Sequence, residues 1–159
     1  MAKTLTDLPI SGFVAQEVAF SELFGRLSAS TRNIIRENVI EPAVNAQHFP
    51  SNNQFCVIFI LGHSDRVDTP GLSSEQRRAQ ELDASDKRAT SAGEWVFDQI
   101  TAALTAAGET PPSSVQDATN FDMVLMPCGA SGLVHVTPAN EAQRQENRRV
   151  QFVISTFIP

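Results

Sequence analysis

The sequence predicts an α/β fold (an α+β sandwich), with helices packed on a mixed sheet in the order β-α-β-α-β-(α)-β. Three observations lead there. Phe55–Leu61 (FCVIFIL) is apolar at every position and is strand length, the pattern of a strand covered on both faces in the middle of a sheet. Ser73–Ala107 reads as helix, either continuous or interrupted by a break, with Ala89, Ala92, Val96, Ile100, Ala103, Leu104 and Ala107 of its second half on one stripe. Val150–Ile158 (VQFVISTFI) is a second apolar run of strand length near the end.

The remaining elements fit between these. Residues 1–11 are expected to form a flexible N-terminus within a single domain spanning 1–159. Gly12–Phe20 (GFVAQEVAF) alternates loosely and predicts a first strand. Ser21–Val39 places Leu23, Leu27, Ile34, Ile35 and Val39 at helical spacing, with Ser21 as N-cap and Pro42 marking the end. The polar first half of the long segment, SSEQRRAQELDASD, faces solvent. Gly108 and Pro111-Pro112 stop it. Asp122–Met126 predicts a short strand, Leu133–Val136 a brief extended piece, and Pro138–Glu146 a helical approach to the last strand.

Composition narrows the function classes. The 159 residues are 42% apolar and 19% charged, with a formal charge of −6, which suits a globular domain and disfavours a nucleic-acid partner, since phosphate-binding surfaces are basic. No stretch reaches the roughly 20 apolar residues of a membrane span. The opening MAKTLTDLPISGF lacks the apolar core of a signal peptide, leaving a cytoplasmic product or a segment of an exported protein as alternatives. Cys56 and Cys128 have no CxxC spacing or nearby histidine cluster and read as two buried free thiols. His63, Ser64 and Asp65 are adjacent and cannot converge as a triad, no GxSxG elbow or phosphate loop occurs, and Asp65 and Asp68 lack metal-ligand spacing. The expectation is a non-enzymatic protein with no cofactor and no metal.

Three segments, in order, carry a resemblance. They are FILGHSD (Phe59–Asp65), SDKRATSAGEWV (Ser85–Val96) and RQENRRVQFVI (Arg144–Ile154). Together they resemble the OmpA-like C-terminal domain family, which includes the peptidoglycan-associated lipoproteins and the wall-binding parts of flagellar stator proteins. The first is similar to the family's strand followed by Gly-His/Tyr-Thr-Asp, the second to its Leu-Ser-x-x-Arg-Ala helix start, the third to its Arg-x-x-Asn-Arg-Arg-Val strand entry. Two departures stand out. Asp68 occupies a position where the family usually has Gly, and the stretch from Asp65 to Arg88 is several residues longer, so residues 66–85 read as an inserted loop and helix extension. That insertion holds a rival match, LSSEQRRAQ (Leu72–Gln80), whose arginine is Arg78. Arg88 is preferred because Ala89 begins a clean apolar stripe, whereas Ala79 is followed by Gln80, Glu81 and Asp83.

The resemblance implies peptidoglycan as the partner, recognised through the diaminopimelate of its stem peptide, and a place in the periplasm or cell envelope. The side-chain end of diaminopimelate carries an ammonium and a carboxylate on one carbon. The resemblance assigns the ammonium to Asp65 and the carboxylate to the planar fork of Arg88, a physically sound division. Ser64 and Asp68 flank that site, and loop N–H groups beyond Asp65 could complete the cradle. The plainer alternative makes Asp65 and Arg88 an ordinary surface ion pair. Asn147, Arg149 and Arg144 are secondary candidates whose first reading is structural: of the arginines at 148 and 149, one crosses toward helix carboxylates and one reaches solvent. A second function keeps the fold without the wall site, as an assembly component of a phage-tail-like or secretion apparatus.

Overall fold

The computed structural model describes residues 3–159. Its sheet has four strands, β1 (Lys3–Ser11), β2 (Phe55–His63), β3 (Phe121–Pro127) and β4 (Arg149–Phe157), in the spatial order β1-β4-β2-β3. β4 pairs antiparallel with both β1 and β2, while β2 and β3 run parallel. The sheet is therefore mixed, as expected. The parallel pair is joined by α4 (Ser74–Ala106), the crossover that such a pair requires.

The first strand lies earlier than the sequence suggested. Lys3–Ser11 falls in the stretch expected to be a flexible terminus, yet it pairs along its whole length with β4, from Lys3 opposite Phe157 to Ser11 opposite Arg149. Leu8 and Ile10 face the core, and β1 is an edge strand, where Pro9 is tolerated. Its polar composition hid it. Gly12 follows at φ 116°, a left-handed turn that ends the strand, so 12–19 is a loop rather than the expected strand.

The first helical region also differs. It is three helices, α1 (Phe20–Arg26), α2 (Ala29–Ile35) and α3 (Glu41–His48), with one π-helical turn at Arg36–Ile40. Ser21 is not the cap of α1. Ala19 holds that position without a side-chain bond, and the Phe20 N–H is instead satisfied by Ser91 Oγ of α4 at 2.9 Å. Pro42 does not end the helical run, which continues unbroken to His48; the π-helical turn at Arg36–Ile40 directly precedes it, the kind of local widening that accommodates a residue without an N–H. Ser28 caps α2, its side chain accepting from Thr31 N.

α4 is continuous over 33 residues, opened by a capping box in which Ser73 and Gln76 exchange side-chain-to-backbone bonds. Its C-terminus closes where foreseen, with Gly108 at φ 81° and Glu109 N donating to Leu104 O. Ala92, Val96, Ile100 and Leu104 share one buried core with Ile58 and Ile60 of β2 and Val150, Phe152 and Ile154 of β4, and Ala89 is buried as well. Phe20 joins this core edge-on to Trp95 at 5.1 Å and to Phe152 at 5.5 Å, pinning α1 to both helix and sheet.

β2 lies inside the sheet, but it is covered on one face only. Cys56, Ile58 and Ile60 are fully buried, while Phe55, Val57, Phe59 and Leu61 are half-buried on the face without helices. An all-apolar strand survives there because neighbours shield it sideways, as Phe55 does with Phe157 at 5.6 Å. Leu133–Val136 forms no strand, whereas the approach to the last strand is helical as expected, as α5 (Glu141–Asn147).

Both cysteines are free. Cys56 is buried, and burial pushes its thiol up to about 12. Cys128 is only half-buried, contrary to the expectation of two buried thiols. Cys56 opens β2 and Cys128 lies just past the far end of β3, so strand length separates them.

Candidate functional site

The three motif segments meet at one end of the sheet. β2 ends in Gly62-His63, and Ser64 and Asp65 continue past it. Gly62 is where α4 crosses the strand, so closely that a Cβ there would lie 1.9 Å from the Ser85 carbonyl oxygen. Ser85 uses the same contact to bind the loop after β3, its Oγ accepting from Gly129 N at 2.9 Å. Two backbone bonds fasten that loop to the strand exit, Cys128 N to Gly62 O and Ser64 N to Gly129 O. The exit is thus clamped between the helix and the 128–132 loop.

Asp65 is 6% exposed and is surrounded by donors. Its Oδ2 accepts from Arg144 Nη1 at 2.7 Å, its Oδ1 accepts from Asn147 Nδ2 at 2.9 Å, and Arg148 Nη2 stands 3.8 Å away. Arg144 places its second nitrogen on Asp68 Oδ2 at 2.9 Å, so one guanidinium bridges two carboxylates. Hydrogen bonds to Asp68 and then Asp65 raise the Arg144 pKa above its ordinary value.

Arg88 is 2% exposed. Its Nε donates to Glu17 O and its Nη1 to His63 O, each at 3.0 Å, and the guanidinium lies over the Phe13 ring at 5.1 Å. Burial, then the nearby Arg148, lowers its pKa to about 10, against the opposing pull of Glu17 and Asp65. No carboxylate lies within 4 Å of Arg88 among the described residues. The surface ion pair between Asp65 and Arg88 is therefore not formed. The two side chains flank the same three residues, His63–Asp65, with Arg88 held by the His63 carbonyl. Nη2 of Arg88 has no protein partner among the described residues. Arg78 is exposed near the start of α4, ten residues and hence about 15 Å of helix from Arg88.

The secondary candidates separate by role. Asn147 is 0% exposed, and its amide is fully used. It donates to Asp65 and to His135 O at 2.8 Å, and accepts from His135 N at 2.8 Å, tying strand exit, loop and β4 together. Arg148 turns toward Glu141 and Asp65, as one of the two arginines was expected to do. Arg149 does not reach solvent. It is buried beneath the 128–136 loop, with Nη2 donating to Gly132 O at 2.8 Å. Its position opposite His63 in the β2–β4 register places it on the helix-free face, where the covering loop supplies the Gly132 carbonyl and the end of α5 the Asn147 carbonyl for its donors. Ser64 is buried with its Oγ unpartnered among the described residues. Sequence reasoning missed Arg148 as a neighbour of the site, and also the backbone carbonyls of Glu17 and His63 that hold Arg88. Carbonyl acceptors leave no trace in residue type.

His63 sits behind the site, its Nδ1 3.2 Å from Ser131 O. Burial, reinforced by Arg149, lowers its pKa below the ordinary value. The unfolded chain therefore binds the extra proton first as pH falls below about 6.5, and stability drops from there down to the folded pKa. Urea midpoints of wild type and His63→Asn between about pH 7 and pH 5 should diverge, the wild type losing more; parallel curves would contradict this.

No family model matches the chain, and no curated protein matches it. Among solved structures it is similar to the peptidoglycan-associated lipoprotein from Burkholderia pseudomallei, at 16% identity over 92% of this chain and 88% of that one, with a TM-score of 0.44. It is also similar to the cell wall anchor of the T6SS from Pseudomonas aeruginosa (16% identity, 98% and 82% covered, TM-score 0.39). A third is the OmpA-like domain of FopA1 from Francisella tularensis subsp. tularensis SCHU S4 (14% identity, 96% and 73% covered, TM-score 0.41).

Proposed function

We propose that this chain binds peptidoglycan without catalysis, at the Asp65–Arg88 end of the sheet, through the zwitterionic side-chain end of diaminopimelate in the stem peptide, and so serves as an anchor in the cell envelope. One observation carries the reading: the strand exit, the start of the apolar stripe of α4 and the entry to β4, the three segments of the sequence motif, converge on the buried carboxylate of Asp65 and on the buried guanidinium of Arg88, which has no carboxylate partner among the described residues. Arg88 keeps Nη2 for a ligand carboxylate. Asp65 is held by Arg144, whose side chain is 31% exposed and already shared with Asp68. A ligand ammonium can take the place of that guanidinium on Asp65 while Arg144 stays on Asp68.

The test is a titration of the purified protein with muropeptides of the diaminopimelate and lysine types. Lysine lacks the second carboxylate, so the diaminopimelate form should bind at least about tenfold more tightly, the worth of one charge-assisted hydrogen-bonded contact. Arg88→Ala and Asp65→Ala should each remove the difference. Equal, weak binding of both forms by the wild type would defeat the proposal. That outcome would favour the second reading, an assembly component without a wall site, which the occupation of Asp65 by Arg144 and Asn147 supports.

A further inference from the structure

A separate cleft of about 620 Å³ opens beside the strand exit, between the extended first turns of α4, the loop at 66–68 and the loop at 128–131. It is lined by Arg66, Arg77 and Arg78, by Ser74 in the first turn of α4, and by Asp68 and Glu81. The insertion at 66–85 builds most of it. In a chain of formal charge −6, three guanidiniums around one cleft invert the local sign.

Those guanidiniums have few partners. None of Arg66, Arg77 and Arg78 has a carboxylate oxygen within 4 Å among the described residues. Arg77 reaches only the Thr69 carbonyl, at 3.5 Å, and its Nε is buried with no acceptor among the described residues. The two carboxylates of the cleft already accept hydrogen bonds, Asp68 from Arg144 outside it and Glu81 from the Val67 N–H within it at 2.9 Å. The positive end of the 33-residue α4 adds to the same field.

From this geometry we infer a second site, an anion-binding cleft that takes a carboxylate or phosphate group on Arg77 and Arg78 with Arg66 at its mouth. A planar fork meets either anion with two parallel bonds, and the terminal nitrogens of Arg77 and Arg78 have no carboxylate partner to give up among the described residues. The site shares only Asp68 with the wall-binding site and does not depend on that reading.

The experiment titrates the isotope-labelled full chain with inorganic phosphate and, separately, with succinate, at low ionic strength. Side-chain Nε–H signals of Arg77 and Arg78 and the backbone amides of 129–131 are followed. Those signals should shift together and saturate, while exposed Arg36 stays still. Arg77→Gln/Arg78→Gln should weaken the titration by about tenfold or more. Saturation by phosphate alone assigns a phosphoryl ligand, and saturation by succinate too admits a carboxylate one. Shifts spread evenly over surface arginines, no saturation with either anion, or an unchanged titration in the double variant would overturn the inference. Muropeptide binding plays no part in the outcome.

Discussion

Gly62→Ala is expected to destabilise the fold by about 3 kcal/mol or more, since no Cβ added at another described glycine would meet backbone so closely. The added Cβ would stand 1.9 Å from the Ser85 carbonyl oxygen, 2.9 Å from its carbon and 3.0 Å from Ala89 N. All three are backbone atoms of a long helix, so no rotamer change relieves the clash. Helix and strand must separate, and the separation also breaks the Ser85 bond to Gly129 N. Urea unfolding measures the effect, with Gly25→Ala as control. Nothing lies within 4 Å of a Cβ at Gly25, and alanine in that helix should be neutral or stabilising by up to about 1 kcal/mol. A loss below about 1 kcal/mol for Gly62→Ala would mean that α4 does not cross the strand as described.

Asp65→Asn should cost about 3 kcal/mol, the usual penalty for removing one partner of a buried pair. The amide keeps the shape but removes the charge that faces Arg144, Arg148 and, further off, Arg88. It also turns one end of the side chain from acceptor to donor, against either Asn147 Nδ2 or Arg144 Nη1. Urea midpoints for wild type, Asp65→Asn, Arg144→Gln and the double variant form a cycle. Coupling of less than about 0.5 kcal/mol between the two sites would show that the bridge contributes nothing.

Much of this architecture was legible, and the reasons are specific. The long helix declared itself through the stripe from Ala89 to Leu104 and through Gly108 and Pro111-Pro112 at its end, while the Ser73/Gln76 box that opens it was not read. The order of strands after residue 55 followed from apolar runs bounded by Gly and Pro. The first 50 residues were harder. β1 is a polar edge strand that holds its place by pairing with β4, 154 residues away at its outer end, a partner no local pattern can reveal. Pro42 misled because a π-helical turn just before it lets the helix run through, which residue type does not show. At the site, the charged residues were identifiable, but their partners were not: Asp65 meets Arg144 and Asn147, supplied by α5, while Arg88 is held by two carbonyls and a ring. Which donor reaches which acceptor is decided by packing across the sheet end, beyond the reach of spacing along the chain.

The strand order β1-β4-β2-β3 has a consequence for how the molecule assembles. β4 is made after every other described element, yet it fills the slot between β1 and β2 and gives both an antiparallel neighbour. Until it arrives, β1 has no sheet to join, and the β2–α4–β3 unit presents a raw edge along β2. α5, which completes the ring of donors around Asp65, arrives only just ahead of it. Such long-range closure is intrinsically slow. From the time β2 is made until β4 follows it, the nascent chain must therefore carry an open, apolar edge, and its exposure to mispairing ends in the one step that inserts β4.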